Sequence, residues 1–242
     1  MQHPRNRSTF RAIDICMQEV YFVLNRFIME LNASNRLPTP YRQIRASYDE
    51  DTITVYQAYS STIAIPAVKQ QKLNVSPDFR LSRMTWVKPS WSWMMYRSGY
   101  SYKDARQAHI LAIKMKHEHF KYLLSLAVLT HGMPTVTPTL ELKEKSANVK
   151  VQWDPERTPT LGMLPYRSIQ IGIPAAVTEQ WVEKWIVGIE DVTERAKALK
   201  ATLDENSGLT IGELIERRLI PEERVYELSE DLRMVLHMND KS

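Results

Sequence analysis

Alternating hydrophobic and polar positions mark several short segments of this chain as strands. Thr52-Ile-Thr-Val-Tyr-Gln-Ala-Tyr59 alternates in this way and is rich in β-branched and aromatic residues, a pattern that predicts a strand. Residues 110–115 form a short run that is apolar except for Lys114, and residues 168–173 alternate again. A fourth strand is predicted at residues 149–153, ending in a charged turn at residues 154–157.

Other segments repeat apolar residues at steps of three and four, the spacing of an amphipathic helix. The clearest lies at residues 10–31, where one apolar stripe runs from Phe10 to Leu31. Such a stripe suits packing on the main domain or on a second subunit of a homo-oligomer. Further helices are predicted at residues 63–72, 117–129, 209–218 and 222–236, and a helix or short strand at residues 179–189.

These elements together predict a single α+β domain of mixed α/β type, with a central mixed sheet and helical extensions at both ends. A polar connector that ends at Pro40 separates an N-terminal amphipathic helix and linker, residues 1–40, from a core domain, residues 41–194. Charged helices at residues 195–242 are expected to cover the outside of that domain.

Composition excludes several classes of protein. Cys16 is the only cysteine, which excludes an intramolecular disulfide and indicates a reducing compartment. The chain has seven glycines and no GxGxxG or GxxxxGK[ST], which argues against a glycine-rich nucleotide fold. The sequence contains no HExxH motif that would indicate a metal site, and no cofactor is expected. Without an apolar run of about 18 residues or a signal peptide, the protein is expected to be cytoplasmic, with no membrane partner.

The charge of the chain is unevenly distributed. The net charge is +4, but residues 69–121 carry eleven Lys and Arg against three acids, whereas residues 179–231 carry fourteen acids against seven bases. A basic middle predicts an anionic partner. For the acidic C-terminal part, a solvated helical face is sufficient explanation.

Residues 83–98 concentrate aromatic and cationic side chains. They hold three of the six Trp, three Met, one Tyr and three cations. Indole rings interleaved with Arg and Lys suit a ligand that is flat in one part and anionic in another. The alternative is an amphipathic core segment whose cations reach the surface.

Polar side chains inside strands and two acidic clusters are further candidates for a site. Gln57, Gln152 and Gln170 lie in predicted strands although Gln is a poor strand former, so they either share a cleft or face solvent. The clusters at residues 49–51 and 190–194 suit a cationic substrate group or acid–base chemistry. The second cluster would equally suit the start of a helix near Thr193.

Three parts of the chain, roughly within residues 41–193, resemble a family of bacterial and fungal proteins long catalogued as a domain of unknown function. The fungal branch of that family resembles arginine-containing cyclodipeptide synthases. The segments that carry the resemblance are Asp49-Glu-Asp-Thr-Ile-Thr-Val-Tyr-Gln-Ala-Tyr59, Arg83-Met-Thr-Trp-Val-Lys-Pro-Ser90 with Trp93-Met-Met-Tyr-Arg-Ser98, and Val151-Gln-Trp-Asp-Pro-Glu-Arg157 with Arg167-Ser-Ile-Gln-Ile-Gly172.

The resemblance implies a secondary-metabolite enzyme that joins arginine to a second amino acid as a cyclic dipeptide. Its expected partners are arginyl-tRNA and a second charged tRNA, a polyanion with an unpaired terminal adenosine that suits a basic, indole-rich surface. The aminoacyl ester is already activated, so the reaction needs neither metal nor ATP at this enzyme. A base must deprotonate the attacking amine, and an acyl-enzyme route would require a serine such as Ser60 or Ser90.

On this hypothesis the candidate residues fall into three groups. The expected catalytic residues are Glu190, Asp191, Glu194 and Ser90. The expected substrate-binding residues are Asp49, Asp51, Tyr56, Gln57, Tyr59, Trp86, Trp93, Gln152 and Gln170. The expected tRNA- or phosphate-binding residues are Arg83, Lys88, Arg97, Arg157 and Arg167.

Two other functions fit the sequence. A nucleotide- or NAD-using transferase that resembles ADP-ribosyltransferases would place its dinucleotide beside the strand that ends at Tyr59 and a later strand with Gln170. A non-enzymatic RNA-binding module would use the basic middle.

Overall fold

A computed structural model describes residues 39–129 and 148–239. The predicted N-terminal helix, at residues 10–31, and the loop at residues 132–146 lie outside the described residues. From Pro40 onward the described residues belong to one compact unit, an α+β domain with mixed sheets, as the sequence predicts.

The domain contains nine strands and seven α-helices within the described ranges. The strands are β1 Arg45–Ala46, β2 Thr52–Tyr59, β3 Thr85–Val87, β4 His109–Lys116, β5 Ala127–Leu129, β6 Val149–Arg157, β7 Met163–Ile173, β8 Ile186–Asp191 and β9 Arg224–Val225. The α-helices are α1 Ser61–Gln70, α2 Trp91–Ser98, α3 His117–Ser125, α4 Ala175–Gln180, α5 Thr193–Glu205, α6 Ile211–Glu216 and α7 Glu230–Val235. A π-helical turn, Trp181–Trp185, follows α4.

The strands form two larger sheets joined by one pair of backbone hydrogen bonds. Strands β2, β4 and β8 make an antiparallel sheet in the order β2-β4-β8, and a second sheet has the order β3-β7-β6-β5 with β5 parallel to β6. The two meet where Tyr56 in β2 pairs with Lys88 just after β3, with N···O distances of 2.6 and 3.0 Å. The residues that follow β3 are thereby fixed beside β2.

Apolar residues collect in two clusters. The larger cluster combines inward residues of both sheets, such as Val55, Ile113 and Ile171, with α3 and the π-helical turn. The second packs Tyr56 and Trp91 against Leu199 and Leu214 of α5 and α6. Helices α5 and α6 therefore contribute buried leucines to the core of the domain, in addition to the exposed faces that their charge predicts.

Several predicted elements differ from the structure at their ends. The helix expected at residues 117–129 ends at Ser125, and the next residues add strand β5 to the sheet. The turn expected at residues 154–157 is part of β6, because a bulge between Pro155 and Arg157 accommodates the proline within the strand. The helix expected at residues 222–236 is divided into β9 and α7. No helix among the described residues is long and apolar enough to cross a membrane.

Candidate functional site

The N-terminus of α2 opens into a cavity of about 330 Å³, which we call the Ser90 cavity. Its polar wall includes two carboxyl groups, two arginines, a phenol and two serines. Its apolar wall comes from α6 and the segment that follows it. The lining includes Arg45, Ser90, Trp91, Glu156, Tyr166, Ile211, Ile215, Ile220, Pro221 and Glu223.

Ser90 is held between a helix and a carboxylate. It is the N-cap of α2, and its hydroxyl accepts a hydrogen bond from the Trp93 N–H at 3.1 Å. The same hydroxyl donates to Glu156 Oε1 at 2.8 Å. Ser90 is 1% exposed and Glu156 5% exposed, so both are shielded from bulk water while they line the cavity.

The second carboxyl group, that of Glu223, binds the adjacent backbone position of the same helix. Glu223 Oε1 accepts a hydrogen bond from the Trp91 N–H at 2.6 Å. Ser90 and Glu223 thus satisfy two of the N–H groups that a helix N-terminus leaves unpaired. The positive end of the helix dipole favours negative charge on the Glu223 carboxylate, and on the Ser90 oxygen when its proton is removed.

Burial separates the two carboxyl groups from ordinary surface acids. Burial raises the pKa of Glu223 to about 8, an effect that the Glu156 charge increases and that the Trp91 N–H and Arg45 partly offset. Burial also raises the pKa of Glu156, against hydrogen bonds from the Arg157 N–H and from Ser90. A carboxyl group whose pKa lies near neutrality, like that of Glu223, is suited to accept and return a proton.

Arg45 and Tyr166 complete the polar wall. Arg45 donates from its guanidinium to the Glu223 carbonyl oxygen at 3.0 Å, and its charge lowers the pKa of both glutamates. Burial, followed by the Glu156 charge, raises the pKa of the Tyr166 phenol. The phenol therefore stays protonated and can donate a hydrogen bond.

A second cavity of about 400 Å³, the Tyr56 cavity, lies on the polar face of the β2-β4-β8 sheet. Its floor is open because Ala112 and Gly188 carry small or no side chains. Two acids and two cations surround that floor. Lining residues include Tyr48, Asp49, Tyr56, Lys114, Glu190, Arg195 and Pro221.

The two cavities are neighbours. Pro221 lines both, and Tyr56 of the second cavity packs edge-on against Trp91 of the first, with ring centroids 5.3 Å apart. The pKa of Tyr56 is raised by burial and then by the charge of Glu223 in one cavity and Glu190 in the other, against the opposing charge of Arg195. A reaction between groups held in the two cavities would therefore take place beside Tyr56 and Trp91.

The predicted acidic residues are partly brought together. Asp49 and Glu190, one from each acidic cluster of the sequence, both line the Tyr56 cavity. Asp51 is exposed, next to the Asp49 turn. Asp191 accepts hydrogen bonds from the start of α5 and pairs with His109, and Glu194 forms an exposed pair with Lys197. Asp51, Asp191 and Glu194 line neither cavity.

The central stretch of the sequence is mostly core. Trp91, Met94 and Met95 are buried in the second cluster. Lys88 is also buried, with its ammonium 3.2 Å from the Trp86 carbonyl oxygen and over the Trp93 ring at 5.3 Å. Burial and the nearby Arg97 lower the pKa of Lys88 to about 7 despite the attraction of Asp154. A buried ammonium in this position is unsuited to a phosphate on the surface, so the tRNA-binding role expected for Lys88 is not supported.

The predicted glutamines form hydrogen bonds within the domain. Gln57 donates to the Thr85 hydroxyl at 2.5 Å, and Tyr59 lies 3.3 Å from the same hydroxyl. Gln170 is opposite Gln152 across β6 and β7 and donates to it at 2.6 Å. A second hydrogen bond, of 2.7 Å, joins the Gln170 amide to Asp154 Oδ2.

Trp86 covers Gly172, where a Cβ atom would approach the indole to 2.9 Å. These residues order the sheet and line neither cavity.

The predicted phosphate-binding arginines lie on different parts of the surface. Arg83 and Arg97 are exposed. Arg157 stacks on Tyr96 at 3.7 Å and also lines the Ser90 cavity. Arg167 donates to the Tyr41 hydroxyl at 2.7 Å. Of these cations, Arg157 is the one placed to contact an anionic group at the cavity.

The sequence patterns did not single out Arg45, Glu156, Tyr166 or Glu223, which are among the polar residues of the Ser90 cavity. Glu156 lies in a segment that was predicted to be a charged turn. Its place between two predicted strands was a signal that it could belong to the sheet. Glu223 had no local signal, because the pairing of β9 with β1 brings it to residues far away in the chain. Among the described residues, no group of three or more His, Cys, Asp or Glu could hold a metal ion.

Comparison with known proteins identifies the family of this chain. A search of curated proteins finds no match. The family model described as "Domain of unknown function (DUF4291)" matches residues 43–226, which include β1, both cavities and β9. The chain therefore belongs to the DUF4291 family.

Proposed function

We propose that this protein is an aminoacyl-tRNA-dependent cyclodipeptide synthase, which joins arginine to a second amino acid through an acyl-enzyme on Ser90. The observation that carries the proposal is the hydrogen bond from the Ser90 hydroxyl to the buried Glu156 carboxylate within a cavity. A serine paired with a base at the positive end of a helix is the arrangement that an acyl-transfer nucleophile needs.

In the first step, Ser90 Oγ attacks the ester carbonyl carbon of one aminoacyl-tRNA. Glu156 accepts the hydroxyl proton and returns it to the ribose oxygen, which leaves with the tRNA. The Trp93 N–H, 3.1 Å from Ser90 Oγ, stabilises the negative charge that develops on that oxygen as its proton departs. The amino acid is then held on Ser90 as an ester.

In the second step, the α-amine of the other aminoacyl-tRNA attacks the Ser90 ester. Glu223, whose pKa is raised to about 8, accepts the amine proton and passes it to Ser90 Oγ as the bond between the acyl group and Ser90 breaks. The product is a dipeptide ester on the second tRNA. Its free amine then attacks that remaining ester, which closes the six-membered ring and releases the second tRNA.

The two neighbouring cavities suit two different amino acids. Asp49 and Glu190 line the Tyr56 cavity, and carboxylates are the preferred partners of a guanidinium. The Ser90 cavity is walled by Ile211, Ile215 and Ile220, which suits an apolar side chain. We therefore place arginine in the Tyr56 cavity and an apolar amino acid in the Ser90 cavity.

The test is mass spectrometry of products formed by the purified protein with arginine, the other amino acids, total tRNA, synthetases and ATP. A cyclic arginine-containing dipeptide that disappears when ribonuclease is added supports the proposal. In the Ser90→Ala variant the product should fall at least about 100-fold, because the nucleophile is lost. Intact-mass analysis of Glu223→Gln should show an aminoacyl adduct on Ser90, since the second step lacks its base.

Ser98→Ala is the matched control. Ser98 is buried in the same helix and its hydroxyl donates to the Met94 carbonyl oxygen, but it does not line the cavity. This variant should retain most of the activity. A Ser90→Ala protein with full activity would rule out the acyl-enzyme, and the absence of any product with well-charged tRNA would rule out the synthase.

A further inference from the structure

A serine, a histidine and an aspartate form a hydrogen-bonded series where β2 ends and β4 begins. Asp191 Oδ2 lies 2.7 Å from His109 Nδ1, and His109 Nε2 lies 3.1 Å from Ser61 Oγ. In the tautomer with a proton on Nδ1, His109 donates to Asp191 and accepts from the Ser61 hydroxyl. This is the order of nucleophile, base and orienting carboxylate found in serine hydrolases.

Strand pairing fixes the histidine and the aspartate. His109 opposes Tyr59 across β2 and β4, and Asp191 opposes Leu111 across β4 and β8. The second oxygen of Asp191 accepts hydrogen bonds from the Thr193 N–H, at 3.0 Å, and from the Thr193 hydroxyl. Partial burial raises the pKa of Asp191, but the hydrogen bonds from Thr193 and His109 outweigh it and hold that pKa below its ordinary value. The carboxylate therefore stays charged and stabilises a protonated imidazole.

The serine stands at the start of a helix. Ser61 is the first residue of the ten-residue helix α1, and Ser60, its N-cap, makes no side-chain hydrogen bond to the helix backbone. The Ser60 side chain therefore caps none of the first-turn N–H groups. The Thr62 N–H directly follows the serine, as the oxyanion donor follows the nucleophile in many acyl-transfer enzymes.

We propose that Ser61, His109 and Asp191 form a second site, which hydrolyses short acyl esters. Ser61 Oγ attacks the ester carbonyl carbon while His109 Nε2 takes the hydroxyl proton. The same nitrogen then gives that proton to the departing alcohol, which leaves an acyl-serine. Water attacks the acyl-serine by the same proton transfers, releases the carboxylic acid and restores the Ser61 hydroxyl. Ser61 and His109 are the catalytic residues, and Asp191 is a positioning residue.

The surroundings of the three side chains decide the size of the substrate. Ser61 is exposed, and the side chains of His109 and Asp191 retain 24% and 30% of their accessible surface. None of the three lines the Ser90 cavity or the Tyr56 cavity. The site is therefore open to small esters, and it does not depend on the aminoacyl transfer proposed above.

The experiment uses the full chain with p-nitrophenyl acetate and, separately, a fluorophosphonate probe. The probe should modify Ser61 in the folded protein, and peptide mass spectrometry should locate the adduct there. Ester hydrolysis should fall at least about 100-fold in Ser61→Ala and His109→Gln, the size expected for loss of a nucleophile or general base. Asp191→Asn keeps an oxygen for Thr193, so it should lower kcat while KM and the melting temperature change little.

Two serine variants serve as controls. Ser60→Ala removes the neighbouring hydroxyl, which bonds to Thr62 at 2.9 Å, and should keep both the adduct and the hydrolysis. Ser98→Ala should also keep both, because the Ser98 hydroxyl donates to the Met94 carbonyl oxygen within α2 and belongs to neither site. An adduct on Ser90 or Ser60 in place of Ser61, no adduct on the folded wild-type protein, or unchanged hydrolysis in Ser61→Ala would each overturn the proposal.

Discussion

Glu156 and Glu223 place two carboxyl groups at the N-terminus of one short helix, and each is bound by a donor from that helix or its cap. The Ser90 hydroxyl donates to Glu156 and the Trp91 N–H donates to Glu223. Burial raises the pKa of both carboxyl groups, that of Glu223 to about 8, so Glu223 can hold a proton near neutral pH. At pH values above the ordinary pKa of a glutamate, holding Glu223 in this site lowers the free energy of unfolding.

The first prediction concerns the pH dependence of stability. The pKa of Glu223 is raised from its ordinary 4.5 to about 8 in the folded protein, so the folded state binds more protons than the unfolded state between those values. The free energy of unfolding should therefore fall as pH rises from about 4.5 to about 8, by an amount on the order of a few kcal/mol. Urea unfolding at a series of pH values measures this slope.

Glu223→Gln is the matched variant for that measurement. Glutamine keeps an oxygen for the Trp91 N–H but does not ionise. The variant should lose much of the slope and be more stable than the wild type at pH 8, while at pH 5 the two should differ little. Equal slopes in both proteins would show that Glu223 titrates as an ordinary glutamate.

At the scale of elements, α6 is a short helix that depends on its cap. The Glu213 N–H donates to the Thr210 hydroxyl oxygen at 3.3 Å, and the Thr210 N–H and hydroxyl each donate to Glu213 Oε2 at 2.7 Å, which forms a capping box. Ile211 and Ile215 of this helix line the Ser90 cavity. The position of the apolar wall therefore rests on a surface threonine and glutamate.

The second prediction is that Thr210→Ala lowers the free energy of unfolding by about 1 kcal/mol. On the proposed function, it should also raise KM for the amino acid held in the Ser90 cavity more than it changes kcat, since the wall moves but the nucleophile does not. Urea unfolding and steady-state kinetics test the two effects. Glu216→Gln, an exposed change at the other end of α6, should do neither. A shift in kcat alone would contradict this role for α6.

Elements differ in how well the sequence predicts them. The pattern of β2 gave its bounds because eight residues alternate with β-branched and aromatic side chains, a local property. Strand β5 was missed because its three residues continue the apolar pattern of α3, and only their parallel pairing with β6 makes them a strand. Ser90 was anticipated as a nucleophile, but its partner Glu156 was not, since a bulge at Pro155 sets its direction.

At the scale of the whole molecule, the C-terminal segment closes the domain and supplies part of the site. Strand β9 pairs with β1, and Arg45 binds the Glu223 carbonyl oxygen across a separation of 178 residues. No periodicity along the chain reports such a pairing, which is why residues 222–236 were interpreted as a covering helix. The Ser90 cavity is therefore complete only when the far end of the chain pairs with β1.

Tyr226 anchors that segment, just after β9. It is 4% exposed, its ring packs edge-on against Phe120 and Tyr48, with centroids 5.4 and 5.3 Å apart, and its hydroxyl lies 2.9 Å from His117 Nδ1. Glu223 precedes it by three residues. Loss of the anchor should therefore affect both stability and the site.

The third prediction is that Tyr226→Ala lowers the free energy of unfolding by about 3–5 kcal/mol, the cost of emptying an aromatic position in a core. Tyr226→Phe, which keeps the ring and loses one hydrogen bond, should cost about 1 kcal/mol. Tyr102→Ala, at a tyrosine that is 64% exposed, should change stability by less than about 0.5 kcal/mol. Urea unfolding ranks the three variants.

Because Tyr226 holds the segment that carries Glu223, Tyr226→Ala should also abolish the pH-dependent slope assigned to that carboxyl. A Tyr226→Ala protein with wild-type stability and slope would mean that the C-terminal segment is not part of the folding unit.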